Sequence, residues 1–149
     1  MVALIATLSA CSAYQPGSLL NSHPDSAETV GCIDVAAESH FDAQAQGPVA
    51  KVIVANRCNT AVAIDFRTIQ ATVKYTDGHL GESKVYDPEF TIGPVTLDAR
   101  SRGWEVFEYH PLDAADLSRL PGLLCLDVTY LDTRHPSPDA RQVCVRAEN

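Results

Sequence analysis

Residues 69–75, Ile-Gln-Ala-Thr-Val-Lys-Tyr, alternate without a break. Ile69, Ala71, Val73 and Tyr75 fall on one side, and Gln70, Thr72 and Lys74 on the other. A period of two belongs to a strand with one face buried and one wetted. Runs of similar texture occupy 32–37, 49–58, 61–66, 83–87, 103–110, 123–131 and 141–147, with turn residues between them. Thr76-Asp77-Gly78-His79 is one such turn, where Gly78 tolerates a positive φ. Only 112–120, Leu-Asp-Ala-Ala-Asp-Leu-Ser-Arg-Leu, reads as a helical turn, and Pro121-Gly122 stops it. Short strands at near-regular spacing with almost no helix predict an all-β fold, an antiparallel β-sandwich of about seven or eight strands.

In that broad architectural sense the pattern resembles an immunoglobulin-like domain. It departs from true immunoglobulin domains in one respect. Trp104 lies between Cys58 and Cys125 but far from both, so the Cys…Trp…Cys spacing is absent.

The chain carries five cysteines, an odd number, and the first stands directly behind an apolar leader, Met1 to Ala10. Leu8-Ser9-Ala10-Cys11 resembles a bacterial lipobox: an aliphatic residue, two small residues and a cysteine. The resemblance implies a lipoprotein signal peptide over 1–10, cleaved before Cys11, with a diacylglycerol on the Cys11 thiol and a further acyl chain on its amine. Several chains anchor firmly where one alone binds marginally, each buried methylene contributing about 0.8 kcal/mol. The positive charge that usually precedes such a leader is missing, so the expected start lies upstream or the leader is shortened. The alternative reading of 1–14 is a buried N-terminal strand or helix with a small hydrophobic cysteine. Ser12, rather than Asp, after the anchor implies the outer membrane in a diderm host.

With Cys11 assigned to lipid, Cys32, Cys58, Cys125 and Cys144 remain. An even set in an exported chain reads as two disulfides, and four cysteines allow three pairings. Zinc is the rival use, and the lack of any close Cys-x-x-Cys pair argues against it. The sequential pairing, Cys32–Cys58 with Cys125–Cys144, is favoured, and strand faces support the second of these bridges. Leu124, Leu126, Val128 and Tyr130 share one face of their run, which leaves Cys125 on the other. Val143 and Val145 likewise leave Cys144 outward, so these two sulfurs are expected to close a hairpin on the outer side of a sheet. Cys58 has the parity of Val52 and Val54, so its bridge to Cys32 is expected to be buried.

Residues 11–30, rich in Ser, Pro and small polar residues, read as the lipid anchor and a flexible tether, with the β-sandwich domain over 31–149. A net charge of −8 repels nucleic acid, and the 11 Lys and Arg are scattered singly, so no nucleic-acid partner is expected. No stretch approaches the roughly 18 apolar residues that span a bilayer.

No catalytic signature accompanies this frame: there is no Gly-x-Ser-x-Gly elbow, phosphate loop, His-Glu-x-x-His helix or EF-hand spacing. His23, His40, His79, His110 and His135 are isolated in loop-like sequence, which predicts no metal site and no cofactor. Asp132 with Asp139, and Glu105 with Glu108, are the acid pairs that could support acid–base chemistry. Around Trp104, both faces of the run are part apolar: Glu105, Phe107 and Tyr109 on one, Trp104 and Val106 on the other. Trp104, Phe107 and Tyr109 are the candidate partner-binding residues. The resulting expectation is a non-catalytic cell-envelope lipoprotein, held in the membrane by acyl chains on Cys11 and serving as a binding or accessory module for an envelope protein partner. A small periplasmic hydrolase using loop carboxylates, or a ligand or metal carrier with a cavity between the sheets, is the alternative.

Overall fold

The computed structural model describes residues 13–147. Cys11 and the leader lie outside the described residues. Ten strands follow one another: β1 (Ala27–Val30), β2 (Ile33–His40), β3 (Val49–Asn56), β4 (Val62–Ile64), β5 (Gln70–Tyr75), β6 (Leu80–Val85), β7 (Val95–Leu97), β8 (Arg102–Pro111), β9 (Pro121–Asp127) and β10 (Gln142–Arg146). A short helix α1 (Ser18–Ser22) precedes them, and two 3₁₀ turns lie at Phe66–Thr68 and Ala114–Ser118. The second is the helical turn expected near 112–120, with the Asp113 carboxylate accepting the Ala115 N–H.

Eight strands form one antiparallel sheet in the order β1-β2-β3-β8-β6-β5-β9-β10, while β4 pairs with β7 as a separate ribbon. The long strand β8 folds the sheet over. Its first part, 102–108, pairs with β3, and its last three residues, 109–111, pair with β6. The two halves therefore face each other, β10 comes to lie against β2, and the sheet is almost a barrel. Val35, Val52 and Val54 from one half meet Val73, Leu124, Leu126 and Val143 from the other in a single core. An all-β antiparallel fold is thus observed. Ten strands replace the expected seven or eight, because β1 and β7 are short and weakly patterned.

The turn expected at Thr76-Asp77-Gly78-His79 is present and joins β5 to β6: Gly78 has φ 88 and donates its N–H to the Tyr75 carbonyl. The run 123–131 stops early. Its strand ends at Asp127, whose carboxylate accepts the Thr129 N–H, and the chain turns. Val128 stays buried, while Tyr130 is 61% exposed instead of sharing the Leu124 face.

Both disulfides follow the sequential pairing, Cys32–Cys58 and Cys125–Cys144. Cys125 and Cys144 are direct cross-strand partners of β9 and β10, with Cα atoms 4.1 Å apart. The Cys32–Cys58 bridge is half-buried rather than buried. Cys32 sits in the turn after β1 and Cys58 two residues past the end of β3, so strand parity does not reach either of them.

The segment read as a tether is folded from Tyr14 onward. Tyr14 and Leu19 pack on Ala36, Ile53 and Ala55, on the side of β2 and β3 that faces away from the core. Its fastener is Asp34, wholly buried. The Tyr14 hydroxyl (2.7 Å), the Gly17 N–H (2.9 Å) and the Thr29 hydroxyl (2.7 Å) all donate to its carboxylate, and the Arg57 guanidinium stands 3.7 Å away. Hydrogen bonds to a charged acceptor are worth about 1.5–3 kcal/mol each, enough to order a short segment that composition alone marks as loose. The folded unit thus begins by Tyr14 rather than at residue 31.

Candidate functional site

On the core-facing side of β3 and β8, the packing is incomplete at the end nearest the β4–β7 ribbon. A recess of about 430 Å³ opens there between Val54 on β3, Ile64 on β4, Gly103 and Phe107 on β8, and Ile92 and Gly93 in the loop before β7. Phe66 and Phe107 make its aromatic wall, their rings 5.1 Å apart and tilted by 53°. Glu105, exposed, and Thr91 and Thr96 supply polar groups at the rim. Two glycines keep the space open: a Cβ added at Gly93 or Gly103 meets nothing within 4 Å. A glycine inside a strand, as Gly103 is, often marks such an approach point.

The loop at 87–92 forms one side of this recess and separates it from a second, apolar one of about 540 Å³ that shares Phe66 and Ile92. The loop is internally tied. The Asp87 carboxylate accepts the Ile92 N–H (2.7 Å) and the Thr91 hydroxyl (3.0 Å). The Ile92 N–H foremost holds the Asp87 carboxyl below the usual carboxylate range. Phe90, at φ 54, is carried at the tip with 91% of its surface exposed.

The structure separates the three predicted partner-binding residues. Phe107 and Tyr109 face the core and are buried, so they form no exposed aromatic row; Phe107 reaches the recess only as part of its wall. Trp104 borders the recess too, but it and Val106 alternate onto the other side of β8 and are 60% and 40% exposed. The Lys51 ammonium lies 5.2 Å from the Trp104 ring centroid. The Tyr109 hydroxyl has no hydrogen-bond partner among the described residues, and burial pushes its ionisation well above the ordinary tyrosine value.

Neither acid pair is assembled. Glu105 lies on the recess side of β8 and Glu108, three residues on, on the opposite side, where its carboxylate accepts the Gln46 N–H. Asp132 is fully buried while Asp139 is exposed. Asp132 instead pins the turn after β1 to the β9–β10 connection: it accepts the N–H groups of Cys32, Arg134 and His135, each at 3.0 Å. Gly31, at φ 53, is required at this contact, because a Cβ would stand 2.5 Å from the His135 carbonyl and 2.6 Å from the Asp132 carboxylate. Cys32, Asp132 and His135 place ligand-type atoms within 4.8 Å of one another. The Cys32 sulfur is spent in its disulfide, which leaves two donors, too few for a closed metal site.

Sequence reasoning missed the carboxylate partners of four histidines: His23 with Glu38, His79 with Asp116, His110 with Glu108 and His135 with Asp132. It missed the recess as well. Gly103 inside a strand was the available signal.

No protein-family model and no curated protein matches the chain. Among solved structures it is similar to the yjhA protein from Bacillus subtilis, at 9% identity and a TM-score of 0.48, over 82% of this chain and 96% of that one.

Proposed function

We propose that the protein is a non-catalytic, lipid-anchored binding module of the bacterial cell envelope, an immunoglobulin-like sandwich in the broad sense. The observation that carries the binding reading is the glycine-lined recess with an aromatic wall at Phe66 and Phe107. Ligand sites are concave and combine apolar walls with a few polar groups; this recess is walled by apolar side chains, with polar atoms making up nearly half of its exposed surface. Its occupant is an apolar group, either of a small ligand or of a partner's side chain inserted past Thr96. The non-catalytic reading draws support from the buried carboxylates. Asp34, Asp116 and Asp132 are each taken up by backbone, hydroxyl, guanidinium or imidazole donors that fasten loops. Support for an exported protein comes from the two disulfides. The lipid on Cys11 and an outer-membrane address facing the periplasm rest on Leu8-Ser9-Ala10-Cys11 and Ser12.

The test fills the recess from inside. Gly103→Leu places a side chain in free space, so the thermal midpoint should hold. Binding of a neutral apolar dye, N-phenyl-1-naphthylamine, should drop at least tenfold. Dye binding unchanged in Gly103→Leu overturns the recess as the site. For the anchor, intact mass should show a species starting at Cys11 with acyl mass, and Cys11→Ser should leave the membrane fraction.

A further inference from the structure

We infer that the outer side of β3 and β8, beside the docked N-terminal segment, is the surface that rests on the lipid bilayer. Arg100 and Arg102 meet anionic headgroups there, with Trp104 at their level. The inference rests on the lipid-anchor reading of Cys11 proposed above, and adds to it the face by which the domain sits on the membrane.

Chain length supplies the first argument. Tyr14 is fixed twice, its hydroxyl on Asp34 and its N–H on the Arg100 carbonyl at 2.6 Å. Only Ser12 and Ala13 separate it from Cys11. Three Cα–Cα steps span at most about 11 Å, so acyl chains on Cys11 enter the bilayer close to Tyr14. A domain on so short a lead cannot stand off the membrane as one on a twenty-residue tether could. Whatever surface surrounds Tyr14 is brought against the headgroups.

Charge and residue type supply the second. Tyr14 borders an open cleft of about 740 Å³ whose walls include Arg100 and Arg102 and no acidic residue, in a chain with 19 acids against 11 Lys and Arg. Arg102 is exposed, and the Arg100 guanidinium is steadied by Asn59 at 3.0 Å. Arg102, Trp104 and Val106 alternate onto the same side of β8, with Lys51 across from Val106. An exposed Trp flanked by Arg and Lys is suited to the membrane–water interface, where the ring is half apolar and long cationic side chains reach phosphate. The acids of this side are accounted for. Asp34 is buried beneath Tyr14, Glu38 is paired with His23 and Lys51, and Glu108, farther along β8, accepts the Gln46 N–H and is paired with His110. Asp98 opens the turn that carries Arg100 and is not among the cleft walls. The net charge of −8 does not oppose this docking, since charges beyond about 8–10 Å are screened at physiological salt.

Trp104 is the single tryptophan and Cys11 the single cysteine outside the disulfides, so the chain carries its own probe and attachment point. In one arm, the full chain is coupled through Cys11 to maleimide lipid in vesicles of phosphatidylethanolamine with phosphatidylglycerol. Trp104 emission should shift to the blue, iodide quenching should fall several-fold, and brominated acyl chains should quench. Arg102→Glu should lose most of the shift. Emission and iodide access equal to those in solution overturn the docking face. A shift of equal size on phosphatidylcholine alone overturns the role of the arginines. In the other arm, flotation of membranes from expressing cells compares the wild-type chain with Cys11→Ser. Equal flotation overturns the anchor reading and with it the native occupant, whatever the coupled protein does.

Discussion

The two sides of the β3–β8 pair are built from alternate residues of the same strands and are covered in opposite ways. On the inner side, Val52, Val54, Phe107 and Tyr109 meet the other half of the sheet in an apolar core. On the outer side, Ile53 and Ala55 are covered by the chain's own N-terminal segment, and Arg102, Trp104 and Val106 stay open. The inner side is secured by area: burial contributes about 25 cal/mol per Å² and is shared among many side chains. The outer cover rests on a small apolar patch, Tyr14 and Leu19 over Ala36, Ile53 and Ala55, and is fastened by one carboxylate and a few hydrogen bonds. A cover of that kind can open without the core opening, since local units unfold at a lower free energy than the whole.

The largest expected effect is on the inner side. Leu126→Ala should cost about 2–5 kcal/mol in urea unfolding, for a fully buried leucine between two paired strands. Amide exchange should speed up in every core strand. Acceleration confined to β9 and β10 would break the picture of a single cooperative core.

On the outer side, Asp34→Ala strands the Tyr14 hydroxyl and the Gly17 N–H and should cost up to about 3 kcal/mol. Its signature is local. Exchange at Asn21, whose N–H bonds the Gly17 carbonyl, should rise sharply while Val52 and Val54 change little. Equal acceleration at both sites would make the segment part of the core after all.

The two tyrosines that face opposite ways sharpen the contrast further. Tyr14→Phe removes a hydroxyl that donates to Asp34 and accepts the Leu19 N–H, and should destabilise by about 1 kcal/mol. Tyr109→Phe removes a buried hydroxyl without a partner and should stabilise by about 1 kcal/mol. Thermal midpoints moving in the same direction would remove the distinction. Tyr14, Tyr75 and Tyr109 all have their ionisation raised above 10.0, burial being the largest cause in each. A folded value above the unfolded one means the contribution is complete below pH 10 and is lost as pH climbs through the folded values. The urea midpoint should therefore fall on the alkaline side of pH 10.

The smallest effect belongs to Glu38, which links the outer segment to β3 through His23 and Lys51. The His23 hydrogen bond foremost holds its carboxyl below the ordinary 4.5. That contribution is present above pH 4.5 and is lost as pH falls through the folded value. Glu38→Gln should cost about 0.2–1 kcal/mol at neutral pH, because the pair is partly exposed. Urea midpoints of the two proteins should converge in acid.

Strands with several alternating apolar residues were legible from sequence, β5, β8, β9 and β10 among them. Their face assignments held wherever the strand ran on. They failed at Tyr130 and at the Cys32–Cys58 bridge, where the strand had already ended. β1 escaped notice because Ala-Glu-Thr-Val contributes one buried side chain, Val30, and β7 because three residues give no period. The N-terminal segment read as a tether because its order depends on Asp34, a residue in another element. The recess was hidden for the same reason: Phe66, Ile92 and Phe107 are distant in sequence and meet only across the folded-over sheet.

Local pattern determined that the chain is a β protein, which residues alternate along its strands, and that a Cys125–Cys144 bridge suits two of them, because period and parity are properties of neighbouring residues. Tertiary structure decided which side of β8, part apolar on both faces, is inside, so that Phe107 and Tyr109 are buried while Trp104 is not, and that Tyr14 is fastened to Asp34. Those outcomes depend on which distant surfaces come together, and burial is settled by the partner a face acquires.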